Sequence, residues 1–183
     1  MQNITYQIKD QILNETSYKL IKAFDMFELR KYTSSTMVEI IETGSREKAL
    51  LNALNKISTY LNKNNLKRAS SEQEALPYVI MQPLEKEKWR FEFYLQNESD
   101  KLTDQITVQQ DIKINRFNEK YFATIKLPGF FSNERIIERT LLLKSWIAKE
   151  KLLINEAPKI AKYKSFWDFA FIEKKEIMIE VRR

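Results

Sequence analysis

The chain has 183 residues, of which 43% are hydrophobic and 31% charged, a composition typical of one soluble globular domain. It contains neither cysteine nor histidine, which excludes disulfides, thiolate metal sites, an axial haem histidine and any Ser-His or Cys-His catalytic pair. The net charge of +6 is spread among nearly as many acids, without a basic stripe or nucleic-acid motif, so we expect no nucleic-acid partner.

The N-terminal segment has no apolar run of the kind found in secretory signals, and no stretch reaches the apolar length of a transmembrane helix. We therefore expect a cytoplasmic protein, with a monomer as the default state. Ile4, Ile8 and Ile12 recur at helical spacing and predict a short helix over residues 3–14.

The first half of the chain predicts strands on either side of one helix. Alternating or continuous apolar runs predict strands over residues 18–23, 27–32, 37–41, 78–84 and 89–95. Gly44 and Ser45 supply a turn and an N-cap. The helix that follows carries its apolar residues on one face, namely Leu50, Ala53, Leu54, Ile57 and Leu61.

The second half repeats the order from strand 27–32 onwards. Strands are predicted over residues 112–117, 121–127, 159–163 and 176–181. Ser132 caps a helix whose predicted apolar face comprises Ile136, Ile137, Leu141, Leu143 and Ile147. Gly44 and Gly129, the only glycines, fall at equivalent places in the two halves. We infer one domain over residues 1–183, built from a first repeat at about 18–95 and a second at about 106–182.

Several ordered segments resemble the SOUL haem-binding family over nearly the whole chain. They are Tyr18-Lys19-Leu20-Ile21, Phe27-Glu28-Leu29-Arg30-Lys31-Tyr32, Ile80-Met81-Gln82-Pro83-Leu84 and Pro128-Gly129. The resemblance implies an α+β fold in which two β-β-α-β-β repeats form an eight-stranded antiparallel distorted barrel flanked by two helices. This architecture is similar to that of GyrI-like small-molecule-binding domains.

The resemblance also implies non-catalytic binding of haem or another flat hydrophobic molecule between the first helix and the loop before the last strand. That loop contains an unusually aromatic segment, residues 166–172, which by its composition alone is either a wall of a ligand pocket or ordinary core. The ligand-facing residues implied are Leu51, Leu54 and Ser58 on the helix, with Phe166, Trp167, Phe169 and Phe171 in the loop.

The chain departs from the family where haem contacts are concerned. Positions that carry basic residues for the haem propionates are Leu51, Thr59 and Asp168 here. We therefore expect a ligand less anionic than haem, with haem bound weakly and without histidine ligation. The methionines are expected in the core rather than on iron.

Two other function classes stay open at this stage, and we assign no catalytic residue and no metal site. The aromatic segment 166–172 would also suit a protein–protein contact. A GyrI-like hydrolytic domain would require a buried strand carboxylate with a raised pKa. The carboxylates of Glu28, Glu39, Glu92, Glu176 and Glu180 are expected to face solvent or form ion pairs instead.

Overall fold

The computed structural model describes residues 18–66, 76–95, 111–128, 132–163 and 174–183. Its strands are β1 (Tyr18–Phe24), β2 (Phe27–Tyr32), β3 (Ser35–Thr43), β4 (Val79–Glu85), β5 (Lys88–Tyr94), β6 (Ile112–Phe117), β7 (Lys120–Lys126), β8 (Leu153–Ile154), β9 (Lys159–Tyr163) and β10 (Lys174–Arg182). Its helices are α1 (Arg46–Lys63) and α2 (Asn133–Lys149). The predicted helix over 3–14, Gly129 and the aromatic segment 166–172 lie outside the described residues.

The strands form one curled antiparallel sheet, a half-barrel, in the order β1-β2-β7-β10-β9-β4-β5-β3-β6, with β8 added alongside β10. The α+β class is therefore confirmed. The predicted count of eight strands is too low, because β1 and β8 also join the sheet. Among the described residues the outer strands β1 and β6 do not pair with each other, so the sheet is open rather than a closed barrel.

Both helices pack on the same face of this sheet. Ile160, in the cluster under α1, is the direct partner of Ile177, in the cluster under α2. The opposite face, called the inner face below, carries an aromatic and aliphatic cluster of Tyr32, Met37, Leu76, Ile80, Tyr94, Phe122, Ala161, Tyr163 and Met178. No helix in the described parts of the chain is long and apolar enough to cross a membrane.

The helix starts follow the sequence prediction, but one buried face does not. The hydroxyl groups of Ser45 and Ser132 accept hydrogen bonds from backbone amides in the first turns of α1 and α2, as N-caps do. The predicted face of α1 is confirmed in Ala53, Ile57 and Leu61, which are buried.

In α2 the prediction of Ile137 and Leu141 as core is wrong, since each is 61% exposed. The adjacent apolar residues Ile136-Ile137 and Leu141-Leu142-Leu143 point to different sides of α2, so periodicity alone does not select its buried side. The stacking of Trp146 on Phe27, with ring centroids 5.3 Å apart, accompanies burial of the opposite face.

The strand order reads the same when the two halves of the chain are exchanged. The exchange equates β2 with β6, β3 with β7, β4 with β9 and β5 with β10. The pairs β3–β6, β3–β5 and β4–β5 then correspond to β7–β2, β7–β10 and β9–β10, all of which are present, and β4–β9 corresponds to itself. A two-repeat architecture requires this pattern. Gly44 has a φ of 116°, the left-handed conformation expected of it. Its equivalence to Gly129 remains a prediction.

Candidate functional site

A cleft lies between the start of helix α1 and the paired strands β9 and β10. Its volume is ≈ 110 Å³. Lys162 of β9 and Lys175 of β10 are direct partners in the antiparallel ladder, so their side chains lie on one face of the sheet, the face that carries the helices. The residues that line the cleft are Arg46, Glu47, Leu50, Met81, Lys162 and Lys175.

The three helix residues predicted to face a ligand are not among the described residues that line this cleft. Leu51 is 60% exposed and Ser58 is also exposed. Leu54 is half-buried against the core under α1. The predicted loop residues Phe166, Trp167, Phe169 and Phe171 lie outside the described residues, in the connection between β9 and β10.

The cleft is rich in positive charge. Among the described lining residues, Arg46, Lys162 and Lys175 are cationic, and the carboxylate of Glu47 forms an ion pair with Arg46 at 3.0 Å. A hydrogen bond from its own backbone amide, and then the guanidinium of Arg46, hold the pKa of Glu47 below its usual range. The N-terminus of α1 adds a partial positive charge. An anionic group would therefore be stabilised here.

Sequence reasoning missed these cations because they come from three separate elements. Aligned family positions on the helix carry Leu51 and Thr59, which suggested that basic contacts were lost. Lys162 and Lys175 become neighbours only through the register of β9 and β10. The sequence offered one signal. The predicted strands 159–163 and 176–181 flank the aromatic segment 166–172, so lysines near the end of the first strand and the start of the second would lie close together.

Coordination of iron has little support in the described residues. Met81 is the cleft residue whose sulfur could ligate haem iron, but it is fully buried in the core under α1, as the sequence predicted. The same prediction is wrong for Met26, which is 36% exposed. No cluster of three or more His, Cys, Asp or Glu residues able to hold a metal occurs in the described ranges. The described cleft is also smaller than pockets that enclose whole ligands, which span about 300–1,000 Å³.

A buried ion pair organises the inner face of the sheet. The guanidinium of Arg30 donates hydrogen bonds to both carboxylate oxygens of Glu176, at 2.7 and 3.0 Å, and the Tyr163 hydroxyl donates to the same carboxylate at 2.8 Å. Burial opposes ionisation of Glu176, but the hydrogen bonds and charge of Arg30 outweigh it and lower the pKa of this carboxyl group. Arg30 also contacts the Tyr18 ring, its central carbon 4.4 Å from the ring centroid.

A second ionic cluster joins β9 to the β4–β5 hairpin. The ammonium group of Lys159 donates to both oxygens of Glu92, at 2.9 and 3.1 Å, and lies 2.9 Å from Glu156. Burial raises the pKa of Glu156, but the hydrogen bond and charge of Lys159 reverse this and lower it overall. Lys159 is itself 3% exposed, so its charge is satisfied by these carboxylates rather than by water.

The strand carboxylates examined as catalytic candidates are all in ion pairs. Their cationic partners are Arg30 for Glu28 and Glu176, Arg90 for Glu39, Lys159 for Glu92 and Lys120 for Glu180. This confirms the expectation that these residues form ion pairs. Although burial opposes ionisation of Glu176, Arg30 lowers the pKa of this carboxyl group, which makes it a weak base and does not favour proton abstraction by it.

Aromatic rings cover the inner face beside the Arg30–Glu176 pair. Tyr32 stacks on Tyr94 at 6.4 Å and meets the edge of Phe122 at 5.4 Å, measured between ring centroids. Burial raises the pKa of Tyr32 to about 12, so its hydroxyl is neutral at physiological pH. Beside the Arg30–Glu176 ion pair, this face therefore contributes packing and the neutral hydroxyl of Tyr32.

A comparison of the sequence with known families identifies the family of this chain. The profile of the family described as SOUL heme-binding protein matches residues 13–180, nearly the whole chain. The chain belongs to this family. A comparison with curated proteins gave no match.

Solved structures with the same fold come from proteins of low sequence identity. The C-terminal domain of EcmrR is 12% identical with a TM-score of 0.62, over 91% of this chain and 98% of that one. EcmrR in a DNA complex gives a TM-score of 0.59 at 12% identity, over 86% of this chain and 58% of that one. A hydrolase from Listeria innocua gives 0.54 at 13% identity, over 85% and 91% of the respective chains. At identities this low, the similarity shows only that this SOUL family member shares their fold.

Proposed function

We propose that this protein binds, without chemically altering it, a flat hydrophobic small molecule that carries acidic groups, with a tetrapyrrole such as haem as the first candidate. The observation that carries the proposal is the basic cleft at the start of α1, bordered by Arg46, Lys162 and Lys175. Membership of the SOUL family supports small-molecule binding as the general role.

The chemistry of the cleft suits one edge of such a ligand. Carboxylates on a porphyrin rim would accept charge-assisted hydrogen bonds from the lysine and arginine side chains. The apolar ring system would then extend over Leu50 and the exposed Leu51. This revises the expectation of a ligand less anionic than haem, which rested on the helix positions alone.

Iron would contribute little to such binding. The chain has no histidine, and Met81 is packed in the core. Affinity would then come from ring burial and carboxylate contacts, both of which metal-free protoporphyrin IX also offers. We expect haemin and protoporphyrin IX to bind with affinities within about threefold of each other, and the haemin complex to lack a bis-histidine spectrum.

The alternatives have weaker support. One structural neighbour is named a hydrolase, but the carboxylates for which this fold shifts the pKa, within the described residues, have lowered values. The hydrolytic alternative requires a raised one. A protein–protein contact through residues 166–172 depends on a segment outside the described residues.

The decisive experiment is a titration with protoporphyrin IX followed by quenching of tryptophan fluorescence. Lys162→Ala/Lys175→Ala should raise the Kd about five- to thirtyfold, since each partly exposed cation contributes up to about 1 kcal/mol. Lys19→Ala, an exposed lysine on β1, is the matched control and should leave the Kd unchanged. Identical curves for the double variant and the control would remove the cleft from the proposal.

A further inference from the structure

Helix α2 exposes an apolar ridge along its outer side. Ile137 and Leu141 are each 61% exposed and Leu142 is 41% exposed. One and two turns further on, Ser145 and Ala148 continue the ridge, and both are exposed. Ile137, Leu141, Ser145 and Ala148 follow one another at spacings of three or four, with Leu142 next to Leu141, so they share one helix face, opposite the buried side of α2.

The two ends of this ridge differ in size and charge. The N-terminal half carries the large Ile137 and is flanked by Glu134 and Glu138, both exposed. The C-terminal half carries small side chains and is flanked by Lys144 and Lys149, also exposed.

Few of these charged side chains form ion pairs with other described residues of the chain. Among the described residues Glu138, Lys144 and Lys149 make no ion pair, and Glu134 bonds to the first turn of its own helix. The arginines of the N-terminal half point elsewhere, Arg135 to the Pro128 carbonyl and Arg139 to the Met26 sulfur. The outer face of α2 is therefore acidic at one end and basic at the other.

We propose that this ridge is a contact between two copies of the chain, with their α2 helices packed antiparallel about a two-fold axis between Leu141 and Leu142. In that arrangement the large, acidic half of each helix faces the small, basic half of the other. Ile137 packs over the space left by Ser145 and Ala148 of the second copy, and Glu134 lies opposite Lys149 of the second copy. The antiparallel helix dipoles also attract each other.

A second copy satisfies this surface better than other occupants do. The ridge is complementary to the same ridge running in the opposite direction. One surface patch can therefore form both sides of the contact, as two-fold dimers require. A lipid surface would instead favour basic residues along the whole apolar face. Helix α2 has 17 residues and is about 25 Å long, so the contact is smaller than a standard interface and the dimer is weak and concentration-dependent.

The proposal is tested by sedimentation velocity of the full chain between about 10 and 500 µM, the range in which a contact of this size associates. The weight-average mass of the wild type should rise with concentration toward a dimer. Leu141→Glu should raise the dimer Kd at least about tenfold. Leu51→Glu is the matched control, because Leu51 is 60% exposed on the other helix, and its dimer Kd should equal that of the wild type.

Charge reversal tests the antiparallel arrangement itself. Glu134→Lys/Glu138→Lys makes both ends of the ridge basic, and Lys144→Glu/Lys149→Glu makes both ends acidic. Each variant alone should stay monomeric, whereas an equimolar mixture should form a heterodimer that weakens with added salt. Circular dichroism melts verify that each variant is folded. A wild type that stays monomeric throughout, Leu141→Glu dimerising like the wild type, or a mixture without heterodimer would overturn the proposal.

Discussion

Replacing Arg30 with methionine tests how far the ion pair on the inner face stabilises the fold. Methionine keeps much of the aliphatic length but removes the guanidinium that donates to both oxygens of Glu176. Glu176 is 0% exposed, so its remaining charge has no access to water. Removing one partner of a buried pair costs about 3–5 kcal/mol. Because the Tyr163 hydroxyl still donates at 2.8 Å and Lys174 lies 3.9 Å away, we expect about 3 kcal/mol.

The same substitution should reverse the pH dependence that Glu176 contributes. In the wild type its pKa is lowered below the ordinary value of 4.5, so its contribution to stability is complete above that value and is lost as the pH falls through the lowered pKa. Without Arg30, burial dominates and raises the pKa of this carboxyl group. Its charge then destabilises the fold at neutral pH, and acidification that protonates it restores part of the loss.

Urea unfolding followed by tryptophan fluorescence, at about pH 7 and about pH 5, measures both effects. Arg30→Met/Glu176→Leu is the control, since removing both charges leaves no unpaired group and should cost less than Arg30→Met alone. The reasoning is refuted if Arg30→Met costs under about 1 kcal/mol and the cost is the same at both pH values.

Two further predictions concern the turn before α1 and the ligand site. Gly44→Ala should lower the free energy of unfolding by about 1 kcal/mol in thermal melts, because φ is 116° there while the added methyl group meets only the Lys48 side chain, at 3.9 Å; an unchanged melting temperature would contradict this. Trp167→Ala should weaken protoporphyrin binding by roughly 1–3 kcal/mol and Leu51→Arg should strengthen it, with the fold intact in both; unchanged titration curves for these two variants would place the ligand elsewhere.

Local patterns in the sequence were sufficient for most elements of the fold. Alternation predicted strands 112–117 and 159–163 with the bounds that the structure has, and Ser45 and Ser132 marked both helix starts. These signals work because they depend on neighbours within one turn or one strand.

Features that depend on distant neighbours escaped prediction. The buried side of α2 is set by contacts such as that of Trp146 with Phe27, which lies far away in the chain. The basic cleft needs the β9–β10 register to bring Lys162 beside Lys175. The assignment of Leu51, Leu54 and Ser58 as ligand-facing residues remains a prediction.

The exchange symmetry of the sheet has a consequence for how the chain can be divided. Three ladders, β2–β7, β3–β6 and β4–β9, join a strand of the first half to a strand of the second. A polypeptide consisting of either half alone would leave the partners of all three ladders missing, with several strand edges open to other chains. The two halves are therefore not separable lobes with a hinge between them. Strands of each half complete the backbone hydrogen bonding of strands in the other half, so the two halves fold cooperatively.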